Sequence, residues 1–75
     1  MNPGKPLSAI ELLARNLRRQ REERSLTIDD LAGRTGIAAK RLAAIEMATA
    51  QARLDDAARL AEALGVPITA MFATE

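Results

Sequence analysis

The stretch LTIDDLAGRTGIAAKRLAAIE, residues 26–46, constrains the fold more than any other part of the chain. Thr27 is a residue type that caps a helix, with Asp30 three positions on, and Asp29 also suits the positive end of a helix dipole. The spacing predicts a short helix over about 28–34, with Leu31 and Ala32 facing inward. Gly36 follows, and glycine tolerates the left-handed conformation that ends a helix. Ile37 is expected as a core plug at the turn. A second short helix over about 38–47 then places Leu42 and Ile45 inward, with Lys40 and Arg41 near its start.

The flanks extend the helical pattern. Residues 1–7 contain Pro3, Gly4 and Pro6 and read as a disordered or extended lead-in to a single domain over 8–75. Ser8-Ala9-Ile10-Glu11 fits a capping box. Ile10, Leu13, Ala14 and Leu17 form an apolar stripe on a helix running to about Arg24. Its other face carries Arg15, Arg18, Arg19, Glu22 and Glu23. A basic patch for an acidic partner is one reading of that face; the simpler one is a solvated helix with Glu11–Arg15, Arg18–Glu22 and Arg19–Glu23 paired at four-residue spacing. Residues 48–52 form a low-charge connector without glycine or proline. A fourth helix over about 54–64 presents Leu54, Ala57, Ala58, Ala61 and Leu64, and Gly65 stops it. Val66-Pro67 begins a last short helix with Ile68, Met71 and Phe72 toward the core. No alternating pattern of a strand appears, so the fold class expected is all-α.

At 75 residues the chain supports one domain with a marginal core, which dimerisation would help. It has no cysteine, histidine, tyrosine or tryptophan. A disulfide framework, a thiolate metal site and the usual acid–base and nucleophilic sets cannot be assembled from what remains, so no enzyme, cofactor or metal is expected. Asp29-Asp30 and Asp55-Asp56 read as helix-dipole partners in first turns rather than as catalytic or metal-binding pairs. No apolar run approaches the roughly 18 residues of a membrane span, and residues 1–8 lack the apolar core of a signal peptide; a cytoplasmic protein is expected. Net charge is +1, but it is unevenly distributed. Residues 1–46 hold nine Lys/Arg against six Asp/Glu; residues 47–75 hold two against four. Such a domain offers a basic end to phosphates.

Two short helices about a tight turn, the second basic at its start, are the pattern of a helix-turn-helix. Around it, RNLRRQREERSLTIDDLA, the TGI turn, the IE ending the third helix, the spacing from Glu46 to Leu54, and LAEALGVPITAMF resemble the lambda-repressor/Cro-like (XRE-type) helix-turn-helix domain family over roughly residues 13–72. The resemblance implies a compact bundle of five helices. It implies a partly buried ion pair between Arg21 and Glu46, tying helix one to the recognition helix. It places the start of the third helix in the major groove of double-stranded DNA, with Ala39, Lys40 and Ala44 at base-facing positions and Ala38 where the family often has a Ser or Thr cap. Phosphate contacts would come from the Thr27 and Ile28 end of helix two, from Arg41, and from the connector. Small members of the family generally form homodimers, often through their last two helices. Leu60, Val66, Ile68, Met71 and Phe72 are the candidates for that interface, the alternative being that all are monomer core.

The chain also departs from the family pattern. Ile28 stands where a polar residue is common, Met47-Ala48-Thr49-Ala50-Gln51-Ala52 where glycine and basic residues are common, and Arg53 where a serine cap is typical. Lys40 can donate to guanine, whereas alanine can only touch a thymine methyl, so direct readout is thin. Two functions therefore stand side by side. One is a small transcriptional regulator binding operator DNA as a homodimer through the helix beginning near Ala38. The other is a protein-binding module on the same fold, an anti-activator or antitoxin-like partner, using the face of Ala38, Ala39, Ala43, Ala44, Ala48 and Ile28.

Overall fold

Four α-helices and one 3-10 helix make up the computed structural model, which describes residues 7–74. They are α1 (Ala9–Glu23), α2 (Ile28–Thr35), α3 (Ala39–Glu46), α4 (Leu54–Leu64) and the 3-10 helix Ile68–Phe72. No strand occurs among the described residues. The expected lead-in lies outside the described residues except for Leu7. The α-helices number four among the described residues, and the last of the five helices expected is a 3-10 helix. Ala70 N–H closes onto the Pro67 carbonyl, three residues back, at 2.9 Å, and so short a segment suits the tighter spiral.

Local chemistry sets most of the helix ends. The Ser8 hydroxyl accepts from the Glu11 amide while the Ser8 amide donates to the Glu11 carboxylate, at 3.2 and 2.8 Å. Thr27 and Asp30 make the same reciprocal pair at 3.0 and 2.9 Å. Gly36 and Gly65 end α2 and α4 in the left-handed conformation, at φ +78° and +72°. Helices α1 and α3 use the same kind of closure without glycine. Ser25 and Ala48 adopt φ +54° and +57°. After α1, Leu26 N–H reaches the Arg21 carbonyl and Ser25 N–H the Glu22 carbonyl; after α3, Thr49 N–H reaches Ala44 and Ala48 N–H reaches Ile45. These paired bonds satisfy carbonyls that the helix itself leaves open. The connector, whose conformation nothing in its composition signals, thus starts as a defined turn, and Ala48 occupies a position that suits glycine.

The core is contributed by every element: Leu13 and Leu17 of α1, Leu31 of α2, Ile37 at the turn, Leu42 and Ile45 of α3, Ala57, Leu60, Ala61 and Leu64 of α4, and Met71. Leu60 and Met71 are wholly buried in this core, so the expectation that they help form a dimer interface is corrected. Val66, Ile68 and Phe72 are half-buried against the cluster. Two other expectations fail on α4. Leu54 is 73% exposed, because it stands at the first helical position beyond the edge of the core, and Ala58 is exposed, about 100° round the helix from Ala57.

One buried polar residue organises the end of the fold. Asn16 has no exposure, and its amide donates to the carbonyls of Met71 and Ala73 at 3.0 and 2.9 Å. Its oxygen accepts from Arg19 at 2.9 Å. Every polar atom of the side chain is therefore paired, and the 3-10 helix is pinned to α1 by directional bonds. Arg15 adds a bond to the Thr74 carbonyl at 2.9 Å. Of the three ion pairs expected along α1, only Arg18–Glu22 forms, at 3.3 Å on the exposed face. Glu11 serves the Ser8 cap, and Arg15 and Arg19 turn toward the chain end and Asn16 instead.

The left-handed Ala48 carries a steric penalty of roughly 1–2 kcal/mol that glycine lacks, partly offset by glycine's larger entropy in the unfolded chain. Ala48→Gly is expected to stabilise the domain by about 1 kcal/mol, read as a rise of several degrees in the thermal midpoint. A fall in that midpoint would count against the turn geometry described.

Candidate nucleic-acid interface

Helix α3 reaches its position through a short chain of causes. Gly36 reverses the backbone after α2, and Ile37 plugs into the core. The Thr35 hydroxyl donates to the Leu31 carbonyl at 2.8 Å and accepts from the Ile37 amide at 3.1 Å, holding the turn between the two helices. Leu42 and Ile45 then bury one side of α3 completely.

The angle of α3 is set from α1. Arg21 Nε and Nη2 donate to the two carboxylate oxygens of Glu46 at 2.6 and 3.0 Å. Arg21 Nη1 also donates to the Leu26 carbonyl at 2.8 Å. The side chains are only 15% and 8% exposed. The planar guanidinium and carboxylate meet along two parallel bonds, so the contact specifies orientation as well as distance. The hydrogen bond to Glu46 holds the Arg21 guanidinium above its ordinary value, with burial acting in the opposite sense.

The amino end of α3 is open. Ala38 is exposed and supplies no side-chain cap, so the first amides of the helix have no partner from that residue. Lys40 is exposed and, among the described residues, takes part in no ion pair. Ala39 and Ala44 are half-buried. On α2, Thr27 is exposed, and its hydroxyl and amide already exchange bonds with Asp30, whose carboxyl is held below its ordinary value first by the Thr27 amide and then by the Thr27 hydroxyl. Ile28 is half-buried against the core, so its side chain is turned to packing and its expected place in a phosphate-binding surface is reduced to its backbone.

Arg41 is the clearest departure from the expected interface. Its Nη2 lies 2.8 Å from Asp56 Oδ2 and 3.1 Å from the Gln51 carbonyl oxygen. Asp56 is almost fully buried, and the same carboxylate oxygen accepts the Arg53 amide at 2.9 Å, tying the first turn of α4 back to the residue that precedes it. The Arg41 hydrogen bond holds the Asp56 carboxyl below its ordinary value, aided by the Arg53 amide and opposed by burial. Arg41 was expected to contact phosphate; the structure ties it to α4 and the connector. Neither Asn16 nor Asp56 was singled out as a tertiary partner from sequence. A polar residue interrupting the stripe of Leu13, Ala14 and Leu17 was the available signal for Asn16. For Asp56 there was none beyond its place in a first turn.

Removing either member of the Arg21–Glu46 pair leaves a charge with little access to water. Arg21→Ala or Glu46→Ala is expected to lower stability by roughly 3–5 kcal/mol in denaturant unfolding; a loss within ~0.5 kcal/mol would show the pair to be solvated. Asp56 gives a pH signature. Its folded-state pKa lies below the ordinary 3.8, so the unfolded chain binds the proton more readily. The stabilisation is complete above that ordinary value and is lost as pH falls through the folded one. Stability should decline with acid below about pH 4, and Asp56→Asn should flatten that limb of the stability–pH curve.

The geometry agrees with relatives found by comparison. A helix-turn-helix domain family matches residues 12–71, most of the chain. No curated protein matches significantly. The hypothetical transcription factor NHTF from Neisseria superposes with a TM-score of 0.86 at 22% identity, covering 99% of this chain and 88% of that one, and shows the same fold. An HTH_3 family transcriptional regulator from Vibrio cholerae superposes with a TM-score of 0.83 at 25% identity; 89% of this chain is covered but only 38% of the Vibrio protein. No described helix is long and apolar enough to cross a membrane. With α2, the Gly36 turn and α3 disposed as the sequence resemblance implies, and the family match spanning all three, the chain belongs to the helix-turn-helix domain family, of the lambda-repressor-like kind.

Proposed function

We propose that this chain is a small cytoplasmic transcriptional regulator that binds operator DNA as a homodimer through the amino end of α3. The observation that carries this reading is the exposed start of that helix. Ala38 leaves its first amides without a side-chain cap, and Lys40 projects an unneutralised charge beside them, on a helix whose angle a buried ion pair sets. Helix amino ends receive phosphate through free amides and a favourable dipole, and lysine can donate to the guanine edge in the major groove. Ala39 and Ala44 admit close approach to thymine methyl groups. The Neisseria and Vibrio proteins, described as a hypothetical transcription factor and a transcriptional regulator, support the same direction. Dimerisation would use the surface of Val66, Ile68 and Phe72, since Leu60 and Met71 face inward. Two recognition helices about 34 Å apart would then meet a palindromic site.

A second reading has its own observation. With Arg41 neutralised by Asp56, α3 keeps Lys40 as its only unpaired cation among the described residues, while Ala38 and the 72%-exposed Met47 leave apolar surface at the two ends of the helix. A protein partner would suit that surface, and a bulky charge at Ala39 or Ala44 would then abolish capture of the partner without unfolding the domain.

The two separate in one titration. If the chain is a DNA-binding regulator, affinity for its operator falls steeply with salt, and Lys40→Ala relaxes base preference by about 1–3 kcal/mol at one position. If no fragment is retarded in a gel shift, including the promoter of the protein's own gene, the regulator reading is lost.

A further inference from the structure

Between α3 and α4 the chain runs through seven residues, 47–53, that are bonded back to α3 at both ends. At the near end, the amide and the hydroxyl of Thr49 both donate to the Ala44 carbonyl, at 2.9 and 3.1 Å. At the far end, Arg41 donates to the Gln51 carbonyl and to Asp56, and Asp56 in turn holds the Arg53 amide. Ala50 and Ala52 pack against the core, while the side chains of Gln51 and Arg53 are exposed.

A helix start needs no carboxylate here. At this third helical position a neutral asparagine or glutamine can accept the same amide, without burying a charge. A carboxylate does what these cannot: it holds a guanidinium from another element in a charge-assisted bond and caps its own helix at the same time. The Asp56 carboxylate is only 7% exposed while the Arg41 side chain is 37% exposed, and at 2.8 Å the carboxylate offsets most of the guanidinium's charge. Such a pair releases few counterions from DNA.

We propose that Arg41 and Asp56 form a positioning pair for DNA binding: they fix the backbone of residues 51–53 against the start of α3 and do not themselves contact phosphate. The proposal rests on the DNA-binding reading above. Contacts to a nucleic acid must be held within about 0.5 Å to be productive, and a connector that shifts relative to Lys40 cannot meet a phosphate and a base edge together. Arg41 makes the two move as one body.

Arg41→Gln keeps most of the side-chain stem, and Asp56→Asn keeps an oxygen for the Arg53 amide. Each variant, the double variant and the wild-type chain are titrated with a duplex fragment of the promoter of the protein's own gene by fluorescence anisotropy at several salt concentrations, at a temperature where circular dichroism shows all of them folded. Each single variant should lose about tenfold in affinity, as for a lost hydrogen bond between charged groups, with the slope of log affinity against log salt unchanged. The double variant should lose no more than either single one. A slope reduced by about one in Arg41→Gln would make Arg41 a phosphate ligand and overturn the proposal. So would tighter binding by Asp56→Asn, the result expected from deleting a negative charge if position did not matter. Amide hydrogen exchange without DNA gives an independent reading: exchange at the Arg53 amide, which Asp56 holds, should quicken in Arg41→Gln, and unchanged exchange there would refute the clamp. A wild-type chain that binds no fragment ends the DNA reading and the positioning role with it, a result distinct from a wild-type chain that binds while Arg41→Gln changes the slope.

Discussion

The bidentate contact between Arg21 and Glu46 is the joint on which the geometry of α3 depends. The apolar core holds α3 by Leu42 and Ile45, but hydrophobic contact is non-directional and a helix of eight residues could roll on such a seat. A guanidinium fork meeting a carboxylate along two parallel bonds does not allow that roll. The third donor of Arg21, on the Leu26 carbonyl, brings the α1–α2 turn into the same joint. One side chain therefore relates α1, the start of α2 and the end of α3. The two charges need each other because neither has enough water around it to stand alone.

Two more polar joints follow the same physical rule. Asn16 fastens the chain end to α1, and Asp56 fastens α4 and the connector to α3 through Arg41. All three join elements far apart in sequence, and in each at least one partner is buried or nearly so. Leucine and alanine dominate the core, and such side chains fill space without dictating angles. Buried polar groups with every partner in place make one arrangement much better than its neighbours, since any other leaves a donor or acceptor unmatched. In a 75-residue chain with a single aromatic residue, packing shape alone offers little of that discrimination.

The disposition of charge follows from these joints. Arg21, Arg41 and Arg19 face the protein, on Glu46, Asp56 and Asn16. Lys40 stands exposed at the start of α3, beside amides that Ala38 does not cap. The basic excess counted along residues 1–46 is therefore smaller at the working surface than in the sequence.

Much of this was legible in the sequence because it is local. The capping boxes at Ser8 and Thr27, the glycines ending α2 and α4, the inward positions Leu13, Leu17, Leu31, Ile37, Leu42 and Ile45, and the extent of α4 depend on residues within one or two turns of each other. The family resemblance added the Arg21–Glu46 contact. Tertiary structure alone decided the partners of groups whose local environment was ambiguous. Arg15 and Arg19 had glutamates at ion-pair spacing but found the chain end and Asn16; Arg41 had an open helix face but found Asp56, fifteen residues away. Leu54 fell on the apolar stripe of its helix but beyond the rim of the core, and Leu60 and Met71 lay inside it. Local bonding patterns are set by spacing along the chain. The choice between two partners for a long side chain is set by which one is buried next to it, and that distance exists only once the helices have packed.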